Sequence, residues 1–244
     1  KVMVYSGELV PKNFMRWFNL QAAGKHFAKP TAYPNYFYVN DEVSKKIAEW
    51  VGDKLLLYDN NCGSDYGKMR VVIEDVIKAK GVDLLIIDNL MMMDIDGFAN
   101  NDKYEAQKMF MRDLCNLAKR TNVHIVLVAH PRKSVSFLRL QDISGTNDLV
   151  NLADSAFLVH RVNEDFKTQY KDYFKNEAEK VFKDATNIIE IAKDRDTGNQ
   201  DVFVPLWFET ETRRLRNDKG EYIQYGWMPE SDYGIVVADE DCPF

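Results

Sequence analysis

The 244-residue chain is long enough for one α/β domain with appendages, or at most two small domains, and its 45% hydrophobic and 29% charged residues are ordinary for a soluble globular protein. A formal net charge of −6 argues against gripping duplex DNA with a broad basic face, but leaves room for a ring whose channel carries a few basic residues per subunit. No apolar run approaches the ~20 residues that span a bilayer, and the three cysteines, Cys62, Cys115 and Cys242, lack the CxxC spacing of a zinc site or disulfide framework; this suits a reducing, cytoplasmic compartment, with a mitochondrial one left open.

In chain order, Val2 to Tyr5 predicts a short apolar strand. Pro11 to Ala23 predicts a helix with Phe14, Trp17, Phe18 and Ala22 inward, and Asp41 to Trp50 a second helix with Asp41 as its cap. Lys54 to Tyr58 is a strand, and Gly67 to Lys80 a helix with Met69, Val72, Ile73 and Val76 inward. Val82 to Asp88 is apolar enough to be buried on both faces. Asn101 to Arg120 is a long amphipathic helix, Val123 to Ala129 a second fully apolar strand, and Arg132 to Asn147 a polar loop. Ala153 to Val159 is a strand, Glu164 to Lys183 a charged helix, and Ile188 to Ala192 pairs with Val202 to Trp207 around the turn Thr197-Gly198-Asn199. Strands alternating with helices imply a mostly parallel α/β sheet flanked by helices, and the late, helix-free strands imply an antiparallel extension at one edge. The expected plan is a core over 1–216, a hairpin or edge extension over 217–238, and an acidic tail over 239–244.

Polar groups at strand ends mark candidate chemistry. Asp88 closes the strand Leu84-Leu85-Ile86-Ile87, which places a carboxylate at the rim of a parallel sheet, where ligands bind in open α/β folds. Such a carboxylate holds magnesium in nucleotide hydrolases; the plain alternative is a strand that stops at an Asp. His130 closes Val126-Leu127-Val128-Ala129 and could donate to a phosphate oxygen, or simply cap a helix. Glu8 follows the first strand, suited to activate water, or to sit in a surface turn. Lys193 and Arg195 are two apart at a strand end, so both can lie on one side, as phosphate ligands or as a solvated basic pair.

Order and spacing carry more than any single site. Glu8, Asp88, His130 and the Lys193/Arg195 pair, with the stretches IIDNL, AHPRK, SGTNDLVNLADSAFLVHR and IAKDRDTGNQDVFVPLWF, resemble the C-terminal RecA-like motor of DnaB-type hexameric helicases, nearest the Twinkle and phage primase-helicase branch. The resemblance runs from about Val2 to Arg216. It implies an ATP-driven, magnesium-dependent motor that moves single-stranded DNA through a homo-hexamer. It implies Glu8 as the base that activates water, Asp88 as the magnesium-associated carboxylate and His130 as the γ-phosphate sensor. It further implies Arg195 as an arginine finger for the adjacent subunit and Lys193 as its neighbouring phosphate contact. Arg16 matches a basic position of the family, near the nucleotide or structural. The segment Lys133 to Asn147 resembles the DNA-holding channel loop, with Lys133, Arg139, Gly145, Thr146 and Asn147 as contacts.

One family element is not in the 244 residues. No GxxxxGK[ST] occurs, and Gly24-Lys25-His26 is a decoy with no Gly five positions earlier. The expectation is that the phosphate-binding loop lies upstream of Lys1 in a longer protein, and that this chain alone hydrolyses ATP poorly. Two rival readings are a RecA/RadA-like recombination ATPase and a non-catalytic ring scaffold. The tail Asp239 to Phe244 reads as a docking peptide for a replication partner, Phe244 filling an apolar pocket, or as a solvated terminus.

Overall fold

The computed structural model describes residues 1–95, 97, 102–132, 137–145, 147–174, 184–217 and 225–228. The expected contacts Lys133 and Thr146, most of the 217–238 extension and the tail 239–244 lie outside the described residues. The elements run β1 (Val2–Ser6), α1 (Pro11–Ala23), β2 (Lys29–Pro30), β3 (Phe37–Tyr38), α2 (Asp41–Val51), β4 (Leu55–Leu57), α3 (Tyr66–Lys80) and β5 (Leu84–Asp88). They continue with α4 (Lys103–Thr121), β6 (His124–Leu127), α5 (Asn147–Leu152), β7 (Ser155–Arg161), α6 (Glu164–Phe174), β8 (Asn187–Asp194), β9 (Val202–Glu209) and β10 (Arg214–Arg216).

Two compact units divide the chain: Lys1–Pro11, Asp53–His160 and Ile189–Phe203 form one, and Lys12–Gly52, Arg161–Ile188 and Val204–Phe244 the other. The first unit holds a sheet in the order β4-β1-β5-β6 with parallel neighbours. Helices α3 and α4 supply its core: Tyr66, Met69, Ile73, Phe110, Leu114 and Leu117 pack with Met3, Tyr5, Leu85 and Ile87. Each fully buried aliphatic or aromatic side chain of this kind contributes roughly 1.5–3 kcal/mol. Asp65 caps α3 by accepting from Lys68 N at 2.9 Å, and Asp102 caps α4 by accepting from Tyr104 N and Glu105 N. Left-handed Gly81 ends α3 and left-handed Asn122 ends α4.

Several sequence expectations change. Strand β5 is not buried on both faces: Leu85 and Ile87 are buried while Leu84, Ile86 and Asp88 are half-buried. Strand β6 is an edge of its sheet, and its His124 and Val126 are exposed. An apolar run reports burial only when both faces are covered, and here one is more open. On α3, Val72 is 45% exposed, because the buried stripe runs Tyr66, Met69, Ile73, Ile77. The expected antiparallel extension is present: the late strands join in a four-stranded sheet, β10-β9-β8-β7, in which β9 and β10 are antiparallel. The turn between β8 and β9 carries Gly198 at φ 74°, as the Thr197-Gly198-Asn199 signal required.

In the second unit, α1 buries Leu20 and Ala23, not Trp17, which is 38% exposed and lies under the Arg213 guanidinium at 5.0 Å. Asn40, one residue before the expected Asp41, caps α2 by accepting from Val43 N at 2.8 Å. Phe27, Tyr225 and Trp227 form an aromatic cluster, and the Trp227 indole donates to Ala22 O at 2.9 Å. The predicted charged helix ends at Phe174 within the described residues; 175–183 lie outside them.

Candidate active site

The register of the parallel sheet builds the site. Ser6 pairs with Asp88, so β1 and β5 end level and release Gly7-Glu8 and Asn89 at the same rim. Gly7 N donates to Asp88 O at 2.5 Å. This approach needs a glycine: a Cβ on Gly7 would lie 2.4 Å from Met92 Cβ. Beyond β6 the chain stays beside β5, with Val128 N donating to Ile87 O at 2.9 Å and Leu90 N to Val128 O at 3.0 Å, which delivers His130 to the rim. The side chains then meet. Asn89 Nδ2 donates to Glu8 Oε1 at 2.6 Å and lies 2.8 Å from His130 Nε2, while His130 Nε2 is 3.0 Å from Glu8 Oε1. Asn89 is fully buried; the Glu8 and His130 side chains are half exposed.

The two carboxylates of the rim are pushed in opposite directions. Hydrogen bonds from His130 and then Asn89 hold the Glu8 carboxyl below its ordinary value. Burial, and then the charge of Glu8, raise Asp88, against a weak opposing bond from Ser6 Oγ at 3.5 Å. A half-buried carboxylate disfavoured as a lone anion is a natural partner for a cation. Among the described residues no group of three or more His, Cys, Asp or Glu side chains could hold a metal ion. The Asp88 carboxylate and the Ser6 hydroxyl are hard oxygen donors of the kind that can hold magnesium together with water and phosphate oxygens. Below the rim, Asn60 Nδ2 donates to Ser6 O at 2.8 Å and the Tyr5 hydroxyl to Met92 O at 3.1 Å.

His130 is wired to the following loop. Ser144 N donates to His130 O at 2.8 Å, Arg132 N donates to Asp142 O at 2.6 Å, and Pro131 bridges Ile143. The Arg132 guanidinium donates to Ile143 O at 3.1 Å and to Gly145 O. Gly145 sits at φ 122°, and a Cβ there would lie 2.3 Å from Leu149 Cδ1. Asn147 opens α5 and is exposed. Arg139 is engaged inside the unit instead of standing free in a loop. Its guanidinium reaches buried Glu190 at 3.5 Å and Asp201 at 3.6 Å and lies over Phe137 at 5.5 Å. Glu190 Oε2 is 2.7 Å from His160 Nε2, and both side chains are almost fully buried. Leu138 N donates to His160 Nδ1 at 3.4 Å, which assigns the ring proton to Nε2, facing Glu190. A cavity of about 260 Å³ opens beside this cluster, lined by Arg139, Gln141, Glu190 and Asp201, and not at the Glu8 rim.

Lys193, in β8, and Arg195, just after it, share Asn151 O as an acceptor, and their other partners lie on α5 and at Ala153 and Asp154 just before β7. Lys193 Nζ donates to the carbonyls of Val150, Asn151 and Ala153 at 2.6, 3.3 and 2.7 Å, capping the end of α5. Burial, and then Arg195, lower its ammonium. Arg195 pairs with Asp154 Oδ1 at 3.2 Å and donates to Asn151 O, with its side chain half exposed. Arg16, in the second unit, lies over Tyr36 at 5.9 Å.

Sequence reasoning missed Asn89, Asn60 and Arg132. Asn89 had a signal: a polar residue at the end of an apolar run, between Asp88 and buried Leu90. Asn60 and Arg132 had none, because each acts by bonding a distant backbone carbonyl.

A family model described as an AAA domain matches residues 1–136, more than half of the 244-residue chain. Among solved structures, one described as an ATPase domain is 17% identical with a TM-score of 0.65, covering 89% of this chain and 74% of that one. A DnaB-like replicative helicase, described with its interactions with primase, is 18% identical with a TM-score of 0.64. That match covers 88% of this chain and 50% of that one, so this chain spans half the helicase's length. No curated protein sequence matches. At these identities the structural likeness establishes the fold alone, the α/β fold that those two structures share. The chain belongs to the AAA domain family.

Proposed function

We propose that this chain is the motor portion of an ATP-driven replicative DNA helicase that works as a ring, a hexamer, on single-stranded DNA. The observation that supports it most is the gathering of Glu8, Asp88 and His130 at one rim of a parallel sheet. Glu8, kept ionised by its two partners, is the base that takes the proton of the attacking water. His130 donates to the terminal phosphate and, through its carbonyl bond to Ser144, transmits the presence of that phosphate to the loop at 137–145. Asp88 and Ser6 are the groups that would hold magnesium, which when bound neutralises phosphate charge. Arg195, half exposed, is the cation offered to a neighbouring protomer, with Lys193 bracing the end of α5 on which Arg195 rests. Lys133, Gly145, Thr146 and Asn147 are proposed as the contacts to DNA, and Arg139 holds residues 137–145 through its bond to Glu190. The tail Asp239 to Phe244 is proposed to recruit a replication partner.

The test is DNA-stimulated ATP hydrolysis and strand separation by the full reading frame that carries this chain. Glu8→Gln should abolish both while leaving single-strand binding intact. Unwinding by Glu8→Gln at the parent rate would end this reading.

A further inference from the structure

We infer that Asn89 is the positioning residue of this site: its buried amide fixes Oε1 of Glu8 in every protonation state of His130 and leaves Oε2 to meet the water. This rests on the proposed role of Glu8 as the base.

The orientation of the Asn89 amide is determined by its surroundings. Oδ1 accepts from Met91 N at 2.8 Å, so Nδ2 must face Glu8 and His130; flipping the amide would lose that bond and set an oxygen against the carboxylate. Nδ2, Glu8 Oε1 and His130 Nε2 then form a triangle with edges of 2.6, 2.8 and 3.0 Å. Only two of the three edges can be hydrogen bonds at once. If Nε2 carries no proton, Nδ2 donates to both neighbours and Glu8 faces a lone pair. If Nε2 is protonated, it and Nδ2 both donate to Oε1, and the two nitrogens face each other as donors. The bond from Nδ2 to Glu8 is common to both arrangements. His130 can therefore leave for a ligand and return while the base stays anchored. A residue needed only to cap the turn after β5 would use Oδ1 alone; the donor end is the part that serves the site.

The side-chain amide of Asn89 can be followed by nitrogen–proton correlation in the protein, compared with its Glu8→Ala and His130→Ala variants. The amide proton bonded to the carboxylate should move upfield in Glu8→Ala and persist in His130→Ala. In the full reading frame, Asn89→Asp keeps the acceptor that caps the turn and removes the donor. It should lower kcat roughly 10²-fold, the scale of a mispositioned catalytic group, with KM for the nucleotide unchanged. Asn89→Leu should do the same if it folds. An amide signal indifferent to Glu8→Ala, or a parent-like kcat for Asn89→Asp, overturns the inference. If Glu8→Gln abolishes turnover while Asn89→Asp does not change it, this inference alone falls. If Glu8→Gln turns over normally, the base assignment falls with it.

Discussion

Among the described residues a histidine is set against a glutamate twice, in opposite surroundings. At the sheet rim, His130 Nε2 is 3.0 Å from Glu8 Oε1, with both side chains about half exposed. On the second sheet, His160 Nε2 is 2.7 Å from Glu190 Oε2, with both almost fully buried and Arg139 close by. The buried pair is shorter, has an assigned tautomer and carries a cation, because a carboxylate taken out of water must be matched. The rim pair shares Glu8 Oε1 with Asn89 and is half exposed, so its partners can exchange. One arrangement holds a loop; the other leaves a carboxylate able to act. The loop at 137–145 joins them, tied at one end to the His130 carbonyl through Ser144 and at the other to Glu190 through Arg139.

Substitutions can break this contrast. Glu8→Gln, in the full reading frame, should lower turnover by up to roughly 10⁴-fold, the upper range for a general base, with only a small fall in the melting temperature from the loss of its bonds to His130 and Asn89. Glu190→Ala should do the reverse. Removing one partner of a buried ion pair costs about 3–5 kcal/mol, to be read from urea denaturation; a loss of under ~1 kcal/mol would mean that the cluster is not charge-paired. Gly145→Ala strains a left-handed position already closed by Leu149 and Gln107, and should cost about 1–3 kcal/mol, with weaker single-strand binding measured by fluorescence anisotropy. Lys193→Met removes the cap on α5 and should cost about 1 kcal/mol by thermal denaturation.

The smallest effect concerns pH. Glu8 titrates below its ordinary 4.5 in the folded protein, chiefly because of His130. A carboxyl lowered by folding contributes stability that is present above its unfolded value and lost as pH falls through the folded one. The melting temperature of His130→Ala should therefore fall less steeply than the parent's below pH 4.5. Identical acid limbs would show that the rim pair does not form in solution.

Much of this was legible before any coordinates. The apolar runs ending at Tyr5 and Ile87 announced strands, and a parallel sheet brings strand ends to one rim. That alone put Glu8, Asp88 and His130 within reach of each other. What failed was burial by face. Val72, Trp17 and Val126 are apolar and exposed, because apolarity does not say which neighbour covers a side chain. Arg139 read as a DNA contact in a polar loop, and its ion pairs with Glu190 and Asp201, 51 and 62 positions later, were not legible because they form only through the second sheet.

The sequence by itself determined the order of the strands' polar ends and the left-handed turn at Gly198, because each depends on neighbours a few bonds away. Only the tertiary structure decided that Asn89 would sit between Glu8 and His130, and that Lys193 would cap α5. Those outcomes depend on register and packing between segments far apart in the chain, where hydrogen-bond geometry is set to tenths of an ångström.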